Sequence, residues 1–385
     1  MKAIINGKVI IPDKNGEFIT AEDFVIVYEE KIIAVMPKEQ FVAADYTEII
    51  DAAGKFVSPG FINEHIHGCV GVDTMDDNKD ALLMMSKAQA QTGVTGFLPT
   101  TMTYDMATIY KTFAQIQEMQ NKVEGAMILG CHMEGPFINQ QQKGAQAAKN
   151  IIKVDFSLIE PYKDIIKIIT IAPETLTDDE FTRQCQANDI IVSIGHSMAD
   201  YAQARLAIDK YGIKHITHLC NAMTPFHHRK PGIVGAALDS DANCELIADN
   251  VHVHPAMQRL IYKAKDNNNI ILITDSMRAC MLGDGESELG GQKVYVKGNL
   301  AALADGTIAG SVLTMDKAVD NFAKNTGADL AEITAMVTKN PAEELGIYNE
   351  LGSLDAGKQA DIIIFDDNVN IAKTIIKGRT IYSVD

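Results

Sequence analysis

Cysteine is sparse and dispersed. The six residues at positions 69, 131, 185, 220, 244 and 280 stand singly, with no Cys-x-x-Cys pair. That spacing suggests neither a disulfide framework nor a thiolate metal site. Long apolar runs are missing too: none approaches the ~20 residues that a membrane-crossing helix needs. The opening residues, Met1-Lys2-Ala3-Ile4-Ile5-Asn6-Gly7, lack the apolar core of a signal peptide. Basic charge is short, with 34 Lys and Arg against 51 Asp and Glu, for a net −17. Such a chain suits neither nucleic acid nor an anionic membrane, and any anionic ligand must be met by a local basic patch. There is no short-period repeat, no low-complexity linker and no early Gly-rich phosphate fingerprint. The expectation is a soluble protein of a reducing, cytoplasmic setting.

What is present is a large supply of apolar residues. At 385 residues and 46% hydrophobic content, one large domain and one small one fit the chain. Both ends read as short strands separated by turns: 3–5, 8–11, 24–28 and 31–36 at the front, 361–365, 371–376 and 380–383 at the back. Isolated hairpins of this size are marginal, so residues 1–54 and 354–385 are expected to share one small β-sandwich. In the middle, residues 55–353, eight apolar runs (55–62, 94–99, 126–130, 165–171, 189–194, 213–217, 245–248 and 270–273) alternate with helix-compatible segments. Near-continuous apolar runs are what buried parallel strands look like. Eight β/α repeats predict a TIM-type (β/α)8 barrel with its chemistry at the C-terminal strand ends. A doubly wound open sheet is the competing architecture. Beyond the eighth run, a β-hairpin is expected over 292–308 and two helices over 314–326 and 329–345.

Chemistry-bearing residues close several of these runs. His65 and His67 follow the first and lie two apart, so an extended strand turns both imidazoles to one side. Glu134 follows the third, His196 the fifth and His218 the sixth. Each alone could be a packing or loop residue. Together they are a histidine–carboxylate set suited to a borderline or harder divalent ion such as Zn, Fe, Co or Mn. Glu134 is the one ligand type able to bridge two cations. His132 reads as supporting or structural, His215 as structural and His254 as peripheral. Asp275 follows the eighth run. It is either a helix cap or a general base for a water acidified by a divalent ion.

The segments that carry these residues are Pro59-Gly60-Phe61-Ile62-Asn63-Glu64-His65-Ile66-His67-Gly68, His132-Met133-Glu134-Gly135-Pro136-Phe137, Gly195-His196-Ser197, Thr217-His218-Leu219-Cys220-Asn221-Ala222-Met223, Gly232-Ile233-Val234-Gly235 and Thr274-Asp275. Over essentially its whole length the chain resembles the amidohydrolase superfamily and, within it, the N-acetylglucosamine-6-phosphate deacetylase family. The resemblance implies that Glu134, His196 and His218 hold a main divalent ion. It also implies that His65 and His67 can hold a second, bridged by Glu134, and that Asp275 is the catalytic acid and base. For a sugar-phosphate substrate it implies Arg229 on the phosphate, reaching in one version to a neighbouring subunit, with Asn221 and Ala222 as amide donors. His252 would bond the sugar or the acetamide carbonyl, Ala145 and Gln146 would touch substrate, and the Ile308-Ala309-Gly310 turn would close over it. Gln146 departs from the histidine many members carry there; glutamine donates a hydrogen bond but bears no charge. The implied reaction releases acetate from N-acetylglucosamine 6-phosphate, in amino-sugar catabolism or recycling, and a homodimer is expected. Two other readings stay open: a superfamily hydrolase or deaminase acting on an unphosphorylated substrate, and a barrel that has become a non-enzymatic scaffold.

Overall fold

The computed structural model describes residues 1–384, so the last residue of the C-terminal stretch, Asp385, lies outside it. Eight parallel strands form the barrel in sequence order: Phe61–Ile66, Val94–Thr101, Cys131–Glu134, Ile166–Ile171, Ile191–Ile194, His215–Ile216, Asn243–Ile247 and Ile270–Ile273. The eighth returns to the first through the Asp275 amide, which donates to the His65 carbonyl at 2.9 Å, and through a parallel bridge between Ile66 and Ser276. The expected barrel is therefore the observed one. Its strands are buried on both faces, as Ile270–Ile273 is along its whole length, which is why they read as unbroken apolar runs. Side-chain caps start the connecting helices sharply. Asn78 accepts from Asp80 N, Asp105 from Thr108 N, and Asp200 forms a capping box with Gln203.

Two expected barrel runs divide in the structure. The run at 55–62 is two strands: Phe56–Pro59 pairs with Ile362–Phe365 and with Lys8–Val9, and only Phe61–Ile66 enters the barrel. The run at 126–130 gives the two-residue strand Met127–Ile128, which pairs with the second barrel strand. The third barrel strand begins after Gly130, whose φ of 150° breaks the extended path. Between the third and fourth strands there is no α-helix. Four single-turn 3-10 helices between Gln140 and Tyr162 take its place, and this long connection runs over the barrel mouth.

The termini build two further sheets. One has four strands in the order Ile32–Pro37, Phe24–Tyr28, Lys2–Ile5, Glu48–Asp51. The other has six, in the order Arg379–Ser383, Ile371–Ile376, Ile362–Phe365, Phe56–Pro59, Lys8–Pro12, Phe18–Ala21, and so joins both chain ends. The strand Ile362–Phe365 shows why the pieces hold. Ile362 and Ile364 pack with Ile4, Val9 and Ile26 between the two sheets, while Ile363 and Phe365 turn the other way into the barrel's core.

After the eighth barrel strand the expected hairpin is a three-stranded sheet, Gly285–Leu289, Gln292–Lys297 and Leu300–Ala302, with Ile308 bridged to Ala302. The helix Met315–Thr326 follows. The segment 329–345, expected as one helix, breaks at Thr338 (φ −136°, ψ −71°) into Leu330–Val337 and Lys339–Glu344. Pro341 explains the break: it has no N–H to give, and its ring would collide with the carbonyl four residues back.

Candidate metal centre and active site

The strand ends deliver five side chains to one point. His218 Nε2 lies 3.0 Å and His196 Nε2 3.1 Å from Glu134 Oε1, and the two histidine nitrogens are 3.2 Å apart. On the other side, His67 Nε2 is 3.4 Å from Glu134 Oε2, and His65 Nε2 is 3.6 Å from Glu134 Oε1. Asp275 Oδ1 faces this second pair, 3.5 Å from His65 Nε2 and 3.3 Å from His67 Nε2. All six side chains are almost wholly buried.

The backbone helps to aim them. His196 (φ 48°), His218 (φ 33°) and Asp275 (φ 46°) all adopt the left-handed conformation two residues past a strand end. Side chains other than glycine enter that region at a cost of about 1–3 kcal/mol. Each kink turns its side chain inward across the barrel axis.

The donors fit a shared cation. Ligand atoms each about 2.1 Å from one ion, at roughly tetrahedral angles, stand about 3.4 Å from one another. The Glu134–His196–His218 triangle has edges of 3.0, 3.1 and 3.2 Å. Two histidine nitrogens pointing at each other are mutually satisfied only through a proton or a cation. His65 Nε2, fully buried, has no hydrogen-bond partner. The electrostatics agree. Burial works to lower the pKa of His65 and His67, yet Glu245, Asp275 and Glu134 hold His65, and Asp275 and Glu134 hold His67, above the usual range. Burial likewise opposes ionisation of Glu134 and Asp275, yet the surrounding histidines hold both carboxyls below their ordinary values. The pocket is built to be filled by positive charge.

Behind the site lies a polar layer that the sequence reading passed over. Glu245, inside the seventh strand, accepts from His65 Nδ1 at 2.9 Å and from the His218 backbone amide at 3.0 Å. It fixes the tautomer that leaves His65 Nε2 facing the centre. Its signal was legible as an acidic residue within an otherwise apolar strand, where only a partnered charge survives burial. Glu64 holds His215 Nε2 at 3.0 Å, and Ser193 holds its Nδ1 at 2.8 Å. His132 spends both nitrogens on the Glu64 carbonyl and Thr170 Oγ1, and burial pushes its pKa down to about 3. His132 and His215 are thus structural; His254 caps the helix Pro255–Ala264 from an exposed position. Asp249, also unanticipated, grips His252 Nδ1 at 2.6 Å and leaves Nε2 to the pocket.

A cavity of about 440 Å³ opens over this floor, ample for a monosaccharide phosphate. Ala145, Gln146, Asn221, Ala222 and His252 line it, as do Ile308 and Gly310. Gln146 Nε2 donates to Glu134 Oε2 at 2.5 Å, so its amide serves the centre directly. Two expected contacts do not reach the cavity. Ala309 is fully buried among the side chains of the three-stranded sheet. Arg229 is exposed, with its guanidinium against His228 at 2.6 Å.

The Amidohydrolase family model matches residues 56–381. The chain is 40% identical to an N-acetylglucosamine-6-phosphate deacetylase of Bacillus subtilis (strain 168), covering 98% of this chain and 95% of that protein. It is 36% identical to an N-acetylgalactosamine-6-phosphate deacetylase of Escherichia coli O157:H7, covering 86% and 89%. Among solved structures it superposes on N-acetylglucosamine-6-phosphate deacetylase from Thermotoga maritima with a TM-score of 0.88 at 32% identity, over 99% of this chain and 100% of the other.

Proposed function

The chain belongs to the amidohydrolase family, and from that premise we propose that it hydrolyses the acetamide of N-acetylglucosamine 6-phosphate to glucosamine 6-phosphate and acetate. One observation carries the reading most: Glu134, His196 and His218 form a cation-sized triangle, and Asp275 stands across the same floor against His65 and His67. Glu134, His196 and His218 would hold one divalent ion, and His65 and His67, with Glu134 between, a second. Zn, Fe, Co and Mn all suit this donor set. Bound there, an ion polarises the carbonyl and lowers the pKa of water.

The remaining steps belong to the protein's own groups. Asp275, held as a carboxylate, accepts a proton from the attacking water as its oxygen bonds to the acetyl carbon. The same carboxyl then gives that proton to the amine nitrogen as the C–N bond breaks. His252, whose imidazolium the Asp249 carboxylate stabilises through Nδ1, donates as that cation from Nε2 to the carbonyl oxygen or to a sugar hydroxyl. Asn221, Ala222, Ile308 and Gly310 would border the sugar and phosphate, as would Ala145 and Gln146. Arg229 lies outside its own cavity, which supports a homodimer in which it reaches a neighbour's phosphate. The terminal sheets act as one supporting unit, with the passage to the barrel at Gly60. No helix of the described residues is long and apolar enough to cross a membrane, in keeping with a cytoplasmic role in amino-sugar use.

The test is acetate release from N-acetylglucosamine 6-phosphate and from N-acetylglucosamine at equal concentration. Strong preference for the phosphorylated sugar is expected. Indifference to the phosphate would overturn the reading in favour of a superfamily reaction on an uncharged substrate.

A further inference from the structure

Arg229 sits outside the cavity of its own chain, so within that chain it supplies no positive charge to the cavity. Apart from histidines, the cavity wall carries two acids, Glu134 and Asp275, and one base, Lys143. No other lysine or arginine lines it among the described residues. The carboxylates on the floor are engaged by the cations proposed for the centre, so a phosphate dianion held away from that centre, in a chain of net charge −17, needs a cation of its own.

Lys143 is held in place from both sides. One residue before it, the Gln142 carbonyl accepts from His196 Nδ1 at 2.8 Å. Three residues after it, Gln146 clasps Glu134. Gly144 between them takes a left-handed turn, φ 54°. The segment is therefore tied at each end to a side chain of the metal centre, and Lys143 lies between the ties. Its ammonium is half-buried and uncommitted: it gives one hydrogen bond, to the Gly144 carbonyl at 3.2 Å, and has no carboxylate partner among the described residues. Asp305, which senses its charge, is exposed and occupied by the Thr307 amide at 2.9 Å. Two of the three donors of the ammonium are free, the condition in which a lysine meets a phosphate as a point charge.

We propose that Lys143 is a specificity-determining residue that binds the substrate's phosphate from within the same chain, working beside whatever a neighbouring subunit contributes. The inference rests on the sugar-phosphate reading above.

The test uses the metal-loaded full chain and the variants Lys143→Met and Lys143→Arg. Lys143→Met is expected to lower kcat/KM for N-acetylglucosamine 6-phosphate at least tenfold more than for N-acetylglucosamine, chiefly through KM. Lys143→Arg is expected to restore most of the preference. A parallel readout needs no turnover: inorganic phosphate should raise the Tm of the wild-type holoenzyme and of Lys143→Arg, but not of Lys143→Met. Equal losses on both sugars, or an unchanged phosphate-induced rise in Tm for Lys143→Met, would overturn the role. Failure of the underlying reading looks different, because the wild-type protein itself would then show no preference for the phosphorylated sugar.

Discussion

At the residue scale, the assignment of Asp275 separates chemistry from ion binding. Asp275→Asn keeps the shape of the side chain but cannot accept the proton of water. Turnover is expected to fall roughly 10²–10⁴-fold while metal content per chain stays at the wild-type value. Near wild-type turnover in that variant would remove the acid–base role. Glu245 makes a complementary case, since it lies behind His65 and touches no substrate. Glu245→Gln is expected to weaken metal binding by about 10–100-fold, read by competition against a chelator of known affinity. The residues at strand ends were legible in the sequence because periodicity located the strands and their ends point to a common face. Glu245 and Asp249 were not, because nothing in one sequence says which neighbour a buried acid will orient. Arg229 stands between these cases: a basic run is conspicuous in composition, but which cavity it serves is set by how the loop folds and by what lies beside it.

At the scale of elements, the close packing at the strand ends limits what can change. A Cβ on Gly195 would stand 2.6 Å from Thr170 Cγ2 and 2.9 Å from Thr217 Cβ. Both threonines belong to the buried hydroxyl chain beneath the centre, Thr170 to Thr217 at 2.7 Å and Thr217 to Ser193 at 2.5 Å. Gly195→Ala is therefore expected to cost about 1–3 kcal/mol by overpacking and to displace His196. Thermal unfolding and metal affinity should fall together; a variant that keeps both would show that the strand can give way. The eight barrel strands were legible as apolar runs, but a run says nothing about which sheet receives it. Phe56–Val57 and Phe61–Ile62 are equally apolar, and only the pairing with Lys8–Val9 and Ile362–Phe365 assigns the first to the terminal sheet. The division of 329–345 into two helices was written in Pro341 and passed over.

At the scale of the whole molecule, the terminal sheets and the barrel meet at Asp361. Its backbone carbonyl accepts from Gly60 N at 3.0 Å. Its carboxyl takes Lys377 N and Gln359 Nε2 on Oδ1, each at 2.9 Å, and leaves Oδ2 buried without a partner. Burial raises the carboxyl from 3.8 to about 6. A folded-state pKa above the unfolded one means that the group's contribution to stability is complete below about pH 4 and is lost as pH rises through about 6. The loss amounts to about 3 kcal/mol at neutral pH. Asp361→Asn should gain Tm on wild type as pH rises from 4 to 7, and a difference that stays constant with pH would show that the carboxyl is not the cause.

If the five strand-end donors and Asp275 serve a catalytic cation, as proposed, removing that cation is the most direct test. The protein, stripped with chelator and then returned to Zn, Fe, Co or Mn, is assayed for acetate release from N-acetylglucosamine 6-phosphate. Release should vanish on stripping and return with at least one of these ions, in proportion to the ion bound at Glu134, His196 and His218. Acetate release that persists in metal-free protein would contradict it.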